Sequence, residues 1–440
     1  MWFPLLVAAL PGRSGHGRAY LGRTKLAIVA NGRALGGELM SVTAAKGFVA
    51  SGLACGIKPS GKPDLALVAT ADRSPAVAAG VFTTNLVQAG PVRVSKQHLA
   101  DGTAVGVVLN SGNANAATGA QGRADARRMC ELAAVGLGVA PSDLLVCSTG
   151  LIGIPMPMAP IETGIPALVA ALADGTAAGD AANDGILTTD TVRKQAVAKF
   201  ETSPVGNHAT IGGMAKGAAM LSPAMATMLA VLTTDAHVDQ PALQSALTSA
   251  VAASFDHLDI DGSRSTNDTV IVLANGAHGG PTITLDSGEL YYRFAEAMTE
   301  VCRQLAESMA RDAEGATKFA RIVVRGARSM AEARVAARAV SRSQLVQCSL
   351  HGGDPYWGRV LSELGASGVH LDPEGVDIAY NGITVCRDGI ACDHDEAAVA
   401  AAMQARDIEI VADLRQGHGE ATFLTTDLSP AYIDENMRTS

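Results

Sequence analysis

The run from Gly212 to Leu229, GGMAKGAAMLSPAMATML, holds a single threonine among small and apolar neighbours. Thr227 directly follows Ala226 and leads an apolar stretch. A hydroxyl so placed can attack the carbonyl of the residue before it. The product is an ester that water opens, provided that the preceding residue is small and the turn holds an attack geometry. Cleavage before Thr227 creates a chain start that carries a nucleophilic hydroxyl and an α-amine together. The amine's unperturbed pKa, about 7.7–8.0, lies near working pH, so it can act as the base. The same residues also read as a buried strand threonine after a proline-containing loop.

Two other stretches offer partners for such chemistry. Cys147 to Gly153, CSTGLIG, reads as a short strand running into a tight turn at Thr149-Gly150. Backbone N–H groups and a hydroxyl there can point at a developing oxyanion, although Thr-Gly turns also serve as plain turns. Arg311 to Lys318, RDAEGATK, places Glu314 at the exit of a helix. That carboxylate can hold a substrate ammonium, or it is a solvated helix-end acid. Polar clusters at Phe82–Asn85, Asn110–Asn115, Thr188–Thr191 and Ser265–Thr269 sit at strand ends. Singly they satisfy turns and caps; together they favour a site for a polar amino acid. Gly213 to Gly217 lacks the spacing of a phosphate loop. Cys392-Asp393-His394-Asp395 reads as a solvated acidic turn, so no metal is expected.

The elements that must position these groups alternate between strand and helix. Val, Leu and Ala-rich runs at 65–70, 104–110, 144–148, 227–232 and 319–324 predict buried strands. Residues 192–200 and 209–213 predict a strand pair around a turn at 203–207. Helices are predicted at 122–137, 161–172, 241–255, 290–311 and 329–342, with a small-residue loop after residue 172. The interleaving predicts an α/β (α+β) fold of mixed sheets layered with helices. The chain has 440 residues, 48% hydrophobic but only 4% aromatic, so its packing rests on aliphatic side chains. A net charge of -9 argues against a nucleic-acid partner. No apolar run is long and charge-free enough to span a bilayer. The seven scattered cysteines read as small buried hydrophobes of a reducing cytoplasm. Residues 1–45 are expected to form an extension outside the fold.

Taken together, the stretches around Lys216–Leu229, Ser148–Gly153 and Glu314–Lys318 resemble the ornithine acetyltransferase family, with support from Asn110–Asn115, Thr188–Thr191 and Asp354–Arg359. The resemblance runs from about Lys46 to Ser440. It implies self-cleavage between Ala226 and Thr227, giving an α chain that ends at residue 226 and a β chain of 227–440, associated as α2β2. It implies acetyl transfer from N-acetylornithine to glutamate through an acetyl-Thr227 ester, with no cofactor and with acetyl-CoA as a second donor in some members. By that pattern Thr149 and Gly150 form the oxyanion hole. Lys216, Thr227, Glu314 and Thr188 or Thr189 bind the amino acid, and Asn436 with a terminal hydroxyl, Thr439 or Ser440, closes the pocket. The chain departs from the pattern at Tyr356, Gln347, Ala313 and in its tail, which touches acceptor choice and the C-terminal contacts. An N-terminal-threonine amidohydrolase or aminopeptidase, with water as acceptor, is the rival reading; a binding protein without catalysis is a third.

Overall fold

The computed structural model describes residues 41–203, 206–222 and 228–437. Three sheets organise them. The first runs in the order Phe48–Leu53, Leu65–Thr70, Gly106–Asn110, Leu144–Ser148. The second runs Thr103–Ala104, Ala76–Phe82, Thr269–Ala274, Leu229–Thr234, Asn207–Lys216, Lys194–Ser203. The third is built from Ile390–Ala391, Ile383–Arg387, Asp377–Tyr380, Asp407–Asp413, Phe319–Ala327 and Gly419–Thr426. Each sheet is mixed. Parallel pairs join Gly106–Asn110 to Leu144–Ser148, Leu229–Thr234 to Thr269–Ala274, and Phe319–Ala327 to Asp407–Asp413. The α/β (α+β) expectation of layered mixed sheets holds.

The first two sheets pack face to face, and each is covered by helices on its outer side. Leu229, Val231, Ile271 and Leu273 turn inward against Val68, Val107, Leu109 and Leu145 of the first sheet. Their neighbours Ala230, Leu232, Val270 and Val272 turn outward onto helices Gln240–Ala252 and Glu289–Arg311. This is the two-residue alternation of a strand with both faces buried, which explains the unbroken apolar runs. On the far side, helices Gly119–Leu137 and Met158–Ala170 cover Leu65, Leu67, Val108, Leu144 and Val146. Helix Glu289–Arg311 buries Phe294, Ala297, Met298, Val301, Leu305, Ala306 and Met309, a 3.6-residue stripe that seats it on the second sheet. The third sheet has its own core under helices Met330–Ser341, Gln344–Gly352, Trp357–Ala366 and Glu396–Met403.

Four sequence expectations change. The stretch after residue 172 is not a loop, because Thr176–Ile186 forms a helix. Its two glycines, with Asn183 and the aspartates, are weak helix formers, but its small residues let it lie directly on the first sheet. A Cβ on Gly185 would stand 2.2 Å from the Leu65 carbonyl oxygen, so no larger residue allows that approach. The apolar run 104–110 divides between two sheets, with Thr103–Ala104 pairing in the second and Gly106–Asn110 in the first. The extension ends sooner than residue 45. Ser41, Val42, Thr43 and Ala45 are buried, and the Val42 carbonyl accepts the Thr233 hydroxyl at 2.6 Å. The strand expected at 227–232 is described as Leu229–Thr234, and the hairpin strands lengthen to Lys194–Ser203 and Asn207–Lys216. That lengthening carries Lys216 to the end of its strand.

Candidate active site

Ten residues were expected at the site. Seven of them, Thr149, Gly150, Thr188, Thr189, Lys216, Glu314 and Asn436, line one cavity of about 240 Å³. Ala226, Thr227 and Ser440 lie outside the described residues, as does Thr439. The cavity opens where strands Leu144–Ser148 and Asn207–Lys216 end and where Thr269–Ala274 begins. Ser265, Thr266 and Asn267 form one wall. Asn267 fixes that wall by donating to the carbonyls of Ala114 (2.6 Å) and Ser148 (2.8 Å).

Thr149 and Gly150 offer different atoms. The Thr149 N–H already donates to the Asn110 carbonyl at 3.0 Å, so this residue can serve an oxyanion only through its hydroxyl. Lys216 Nζ donates to that hydroxyl at 3.3 Å, which leaves its proton free to be given onward. Gly150 has φ +131, and a Cβ there would stand 2.3 Å from the Gly112 carbonyl carbon. Only glycine fits the turn.

Lys216 is 2% exposed. Burial lowers its affinity for a proton; Asp190 opposes this, Lys194 adds to it, and Glu314 and Asp268 oppose it further. Asp190 has a buried carboxylate beside both lysines, 2.6 Å from Lys194 and 4.0 Å from Lys216. Burial alone would raise the Asp190 carboxyl, but the two ammonium groups and the hydrogen bonds from Lys194 and the Gly217 N–H hold it well below the usual carboxylate range. Lys194 also pairs with Asp312 at 2.5 Å. Sequence reading saw this stretch as a polar cluster and missed the ionic core within it. The available signal was Asp190 and Lys194 four residues apart at the mouth of a strand. Of the two candidate threonines, Thr188 directs its hydroxyl to Asp190 at 3.4 Å. Thr189 is exposed to the cavity and has no hydrogen-bond partner among the described residues, so its hydroxyl is the one available to a ligand.

Glu314 brings a carboxylate to the same cavity. Glu314 follows helix Glu289–Arg311, and its N–H donates to the Ala218 carbonyl at 2.9 Å. Its Oε2 accepts Asn436 Nδ2 at 2.7 Å. Asn436 reaches it because helix Pro430–Asn436 is docked on the same loop. Ser429 caps that helix by accepting the Tyr432 N–H at 3.2 Å, and it donates to the Gly315 carbonyl at 2.6 Å. Gly315 has φ +64, and a Cβ on it would stand 2.3 Å from the Tyr432 nitrogen. The resulting arrangement is a cation and an anion lining one small cavity, which suits a small zwitterion.

The described run that leads toward residue 227 borders this cavity. Lys216, Ala219 and Met220 line it. On the other side, the Met228 N–H donates to Asp268 Oδ1 at 3.0 Å. Asp268 is fully buried, its Oδ2 has no hydrogen-bond partner among the described residues, and burial raises its carboxyl well above the usual range. Two of the departures lie elsewhere. The Gln347 amide donates to the carbonyls of Ile260 and Ser341 and to the Thr425 hydroxyl, which makes it a buried tie between segments. Tyr356 is 54% exposed with Arg359 over its ring. Neither lines the cavity, so they do not alter its walls.

Known proteins resemble this chain over most of its length. The model of the ArgJ family matches residues 49–439. The arginine biosynthesis bifunctional protein ArgJ of Symbiobacterium thermophilum is 47% identical over 398 residues, covering 90% of this chain and 97% of that protein. Its counterpart from Streptomyces coelicolor is 45% identical over 398 residues, 90% of this chain and 99% of that protein. Among solved structures, the ornithine acetyltransferase of Mycobacterium tuberculosis, complexed with ornithine, shares 42% identity. It covers 42% of this chain and 95% of its own, with a TM-score of 0.39. The chain belongs to the ArgJ family, bifunctional acyltransferases of arginine biosynthesis. Relatives this similar over nine-tenths of the chain do not favour the amidohydrolase reading.

Proposed function

We propose that this chain cleaves itself between Ala226 and Thr227 and then moves an acetyl group from N-acetylornithine to glutamate. The α-amine of Thr227 takes the proton of its own hydroxyl, and the oxygen attacks the acetyl carbonyl. The negative charge that develops on the carbonyl oxygen is met by the Thr149 hydroxyl and the Gly150 backbone. The amide C–N bond breaks, ornithine leaves with the proton, and an acetyl ester remains on Thr227. The amine of glutamate then attacks the ester, N-acetylglutamate departs, and the hydroxyl is restored.

The observation that carries this reading is the charge layout of the cavity. N-acetylornithine bears a carboxylate at one end and an ammonium at the other. Lys216 and Glu314 offer the complementary charges across one small cavity. Thr189 and Asn436 add hydrogen bonds, and Ser440 is the terminal hydroxyl assigned to closing the pocket. Acetyl-CoA is proposed as a second donor, in keeping with the bifunctional name of the relatives. An α2β2 assembly and a cytoplasmic setting complete the reading. All seven cysteines are unpaired, and no helix among the described residues is long and apolar enough to cross a membrane.

Mass analysis of purified protein tests the first step: two chains are expected, one beginning at Thr227. Incubation with N-acetylornithine labelled in the acetyl group, quenched before glutamate is added, should leave the label on that residue. An intact single chain, or label on another side chain, refutes the mechanism. Acetate released faster than N-acetylglutamate forms would instead make the protein a hydrolase.

A further inference from the structure

Behind the cavity wall stands a carboxylate that no step above uses. Asp190 follows the Thr188–Thr189 turn, and its two oxygens serve different pieces of chain. Oδ2 accepts the N–H of Thr188 at 3.1 Å and its hydroxyl at 3.4 Å, and lies 4.0 Å from Lys216 Nζ. Oδ1 accepts Lys194 Nζ at 2.6 Å and the Gly217 N–H at 2.8 Å. One buried group thus joins the threonine turn, the end of the strand that bears Lys216, and the first residue of the run leading toward the cleavage position.

The charges around it are matched. Lys194 has a second partner in Asp312, whose other oxygen is taken by the Thr191 hydroxyl. That leaves part of the Asp190 charge to face Lys216. The groups acting on the Lys216 ammonium come from every side: Asp190 from the turn, Lys194 from the neighbouring strand, Glu314 from the helix exit and Asp268 from just before strand Thr269–Ala274. Lys58 faces it from the loop beside Asp64. Among these, Asp190 offers the strongest support to the charged form, and burial and Lys194 oppose it.

We propose that Asp190 is a positioning residue for the transfer reaction: acting through Lys216, it fixes both the place and the charge of the cation that receives the substrate's carboxylate. The inference rests on the reading of Lys216 as the carboxylate partner. A rigid, already ionised lysine costs no reorganisation when substrate arrives, whereas an unsupported buried lysine gives up its proton.

Asp190→Asn keeps an acceptor oxygen and removes the charge. KM for N-acetylornithine and for glutamate should each rise about tenfold at neutral pH, with kcat changing less. The alkaline limb of kcat/KM should move down by about one pH unit as Lys216 loses its support. Lys194→Met removes the competing cation and should move the same limb upward. A purely structural role would lower the active fraction and leave KM and the limb in place, and that result overturns the proposal. So does a shift in the same direction in both variants. Should Asp190→Asn not fold, Asp190→Glu, which keeps the charge but displaces it, decides: a raised KM with the alkaline limb near its parent position supports the proposal, and an unchanged KM overturns it. Lys216→Met separates the two levels of inference. If KM is unchanged in that variant, the reading of Lys216 itself fails. If KM rises there and not in Asp190→Asn, only the role of Asp190 falls.

Discussion

Gly150→Ala changes one hydrogen into a methyl at the most confined turn of the cavity. The new carbon would stand 2.3 Å from the Gly112 carbonyl carbon, 2.5 Å from the Asn113 nitrogen and 2.7 Å from the Gly112 oxygen. All three are backbone atoms, so no side-chain rotation relieves the contact. Ordinary carbon contacts need more than 3.4 Å, so the turn must shift by roughly 1 Å. The φ of +131 adds a conformational cost of about 1–3 kcal/mol for any residue with a Cβ. A displacement of that size takes the Gly150 backbone out of reach of the oxyanion. Loss of one such donor costs roughly 3–4 kcal/mol in the transition state, a fall of about 10²–10³ in kcat. KM should change little, because Lys216 and Glu314 are held by other segments. The assay is steady-state acetyl transfer from N-acetylornithine to glutamate, with thermal unfolding measured alongside. A variant that folds and keeps kcat within about threefold of the parent would show that Gly150 does not meet the developing charge.

Glu314→Gln should raise KM for N-acetylornithine by about 10–100-fold, the worth of a charged hydrogen bond of roughly 1.5–3 kcal/mol; an unchanged KM removes Glu314 from the ammonium site. Gly315→Ala should undock helix Pro430–Asn436 and separate Asn436 from Glu314, because the added carbon meets the Tyr432 backbone; limited proteolysis near the C-terminus should accelerate, and an unaltered digestion pattern refutes the docking. Asp268→Asn tests pH linkage. The folded-state pKa of this carboxyl is raised by burial, so the unfolded chain ionises first, and stability falls as pH rises above about 4, the unfolded value. Asparagine does not titrate and still accepts the Met228 N–H, so the difference in Tm between variant and parent should widen in the variant's favour from about pH 4 to pH 7. A difference that stays constant with pH means that Asp268 keeps its charge in the fold.

The legible parts of the chain were those fixed by local pattern. Continuous apolar runs gave strands Leu65–Thr70, Leu144–Ser148 and Phe319–Ala327, and the stripe in Glu289–Arg311 gave the long helix, because both are set by the same faces that become buried; the central strand Thr269–Ala274 was not read. Helix Thr176–Ile186 escaped, since TAAGDAANDGI has no wide apolar stripe and its glycines, asparagine and aspartates offset its alanines. Its reason to exist lies in the sheet that it touches. The run at 104–110 was read as one strand because pattern reports burial and not which sheet provides it. At the site, Thr149, Gly150 and Glu314 were read from type and spacing and Lys216 and Asn436 from the family resemblance, whereas Asp190 and Asp268 were seen only as members of polar clusters. Their significance is burial against particular charges and N–H groups, and burial of a single polar residue leaves no periodic trace.

The sequence by itself determined the α/β layering, the family and the residues worth testing, because hydrophobic alternation and motif spacing are properties of neighbours along the chain. Tertiary structure alone decided that Thr149 has only its hydroxyl to give, that the Thr188 hydroxyl is taken by Asp190 while Thr189 has no partner among the described residues, and that Asn436 lies 2.7 Å from Glu314, 122 residues away. Those outcomes depend on which N–H, carbonyl or carboxylate a distant segment brings within about 3 Å, and hydrogen-bond partners over such separations are chosen by packing.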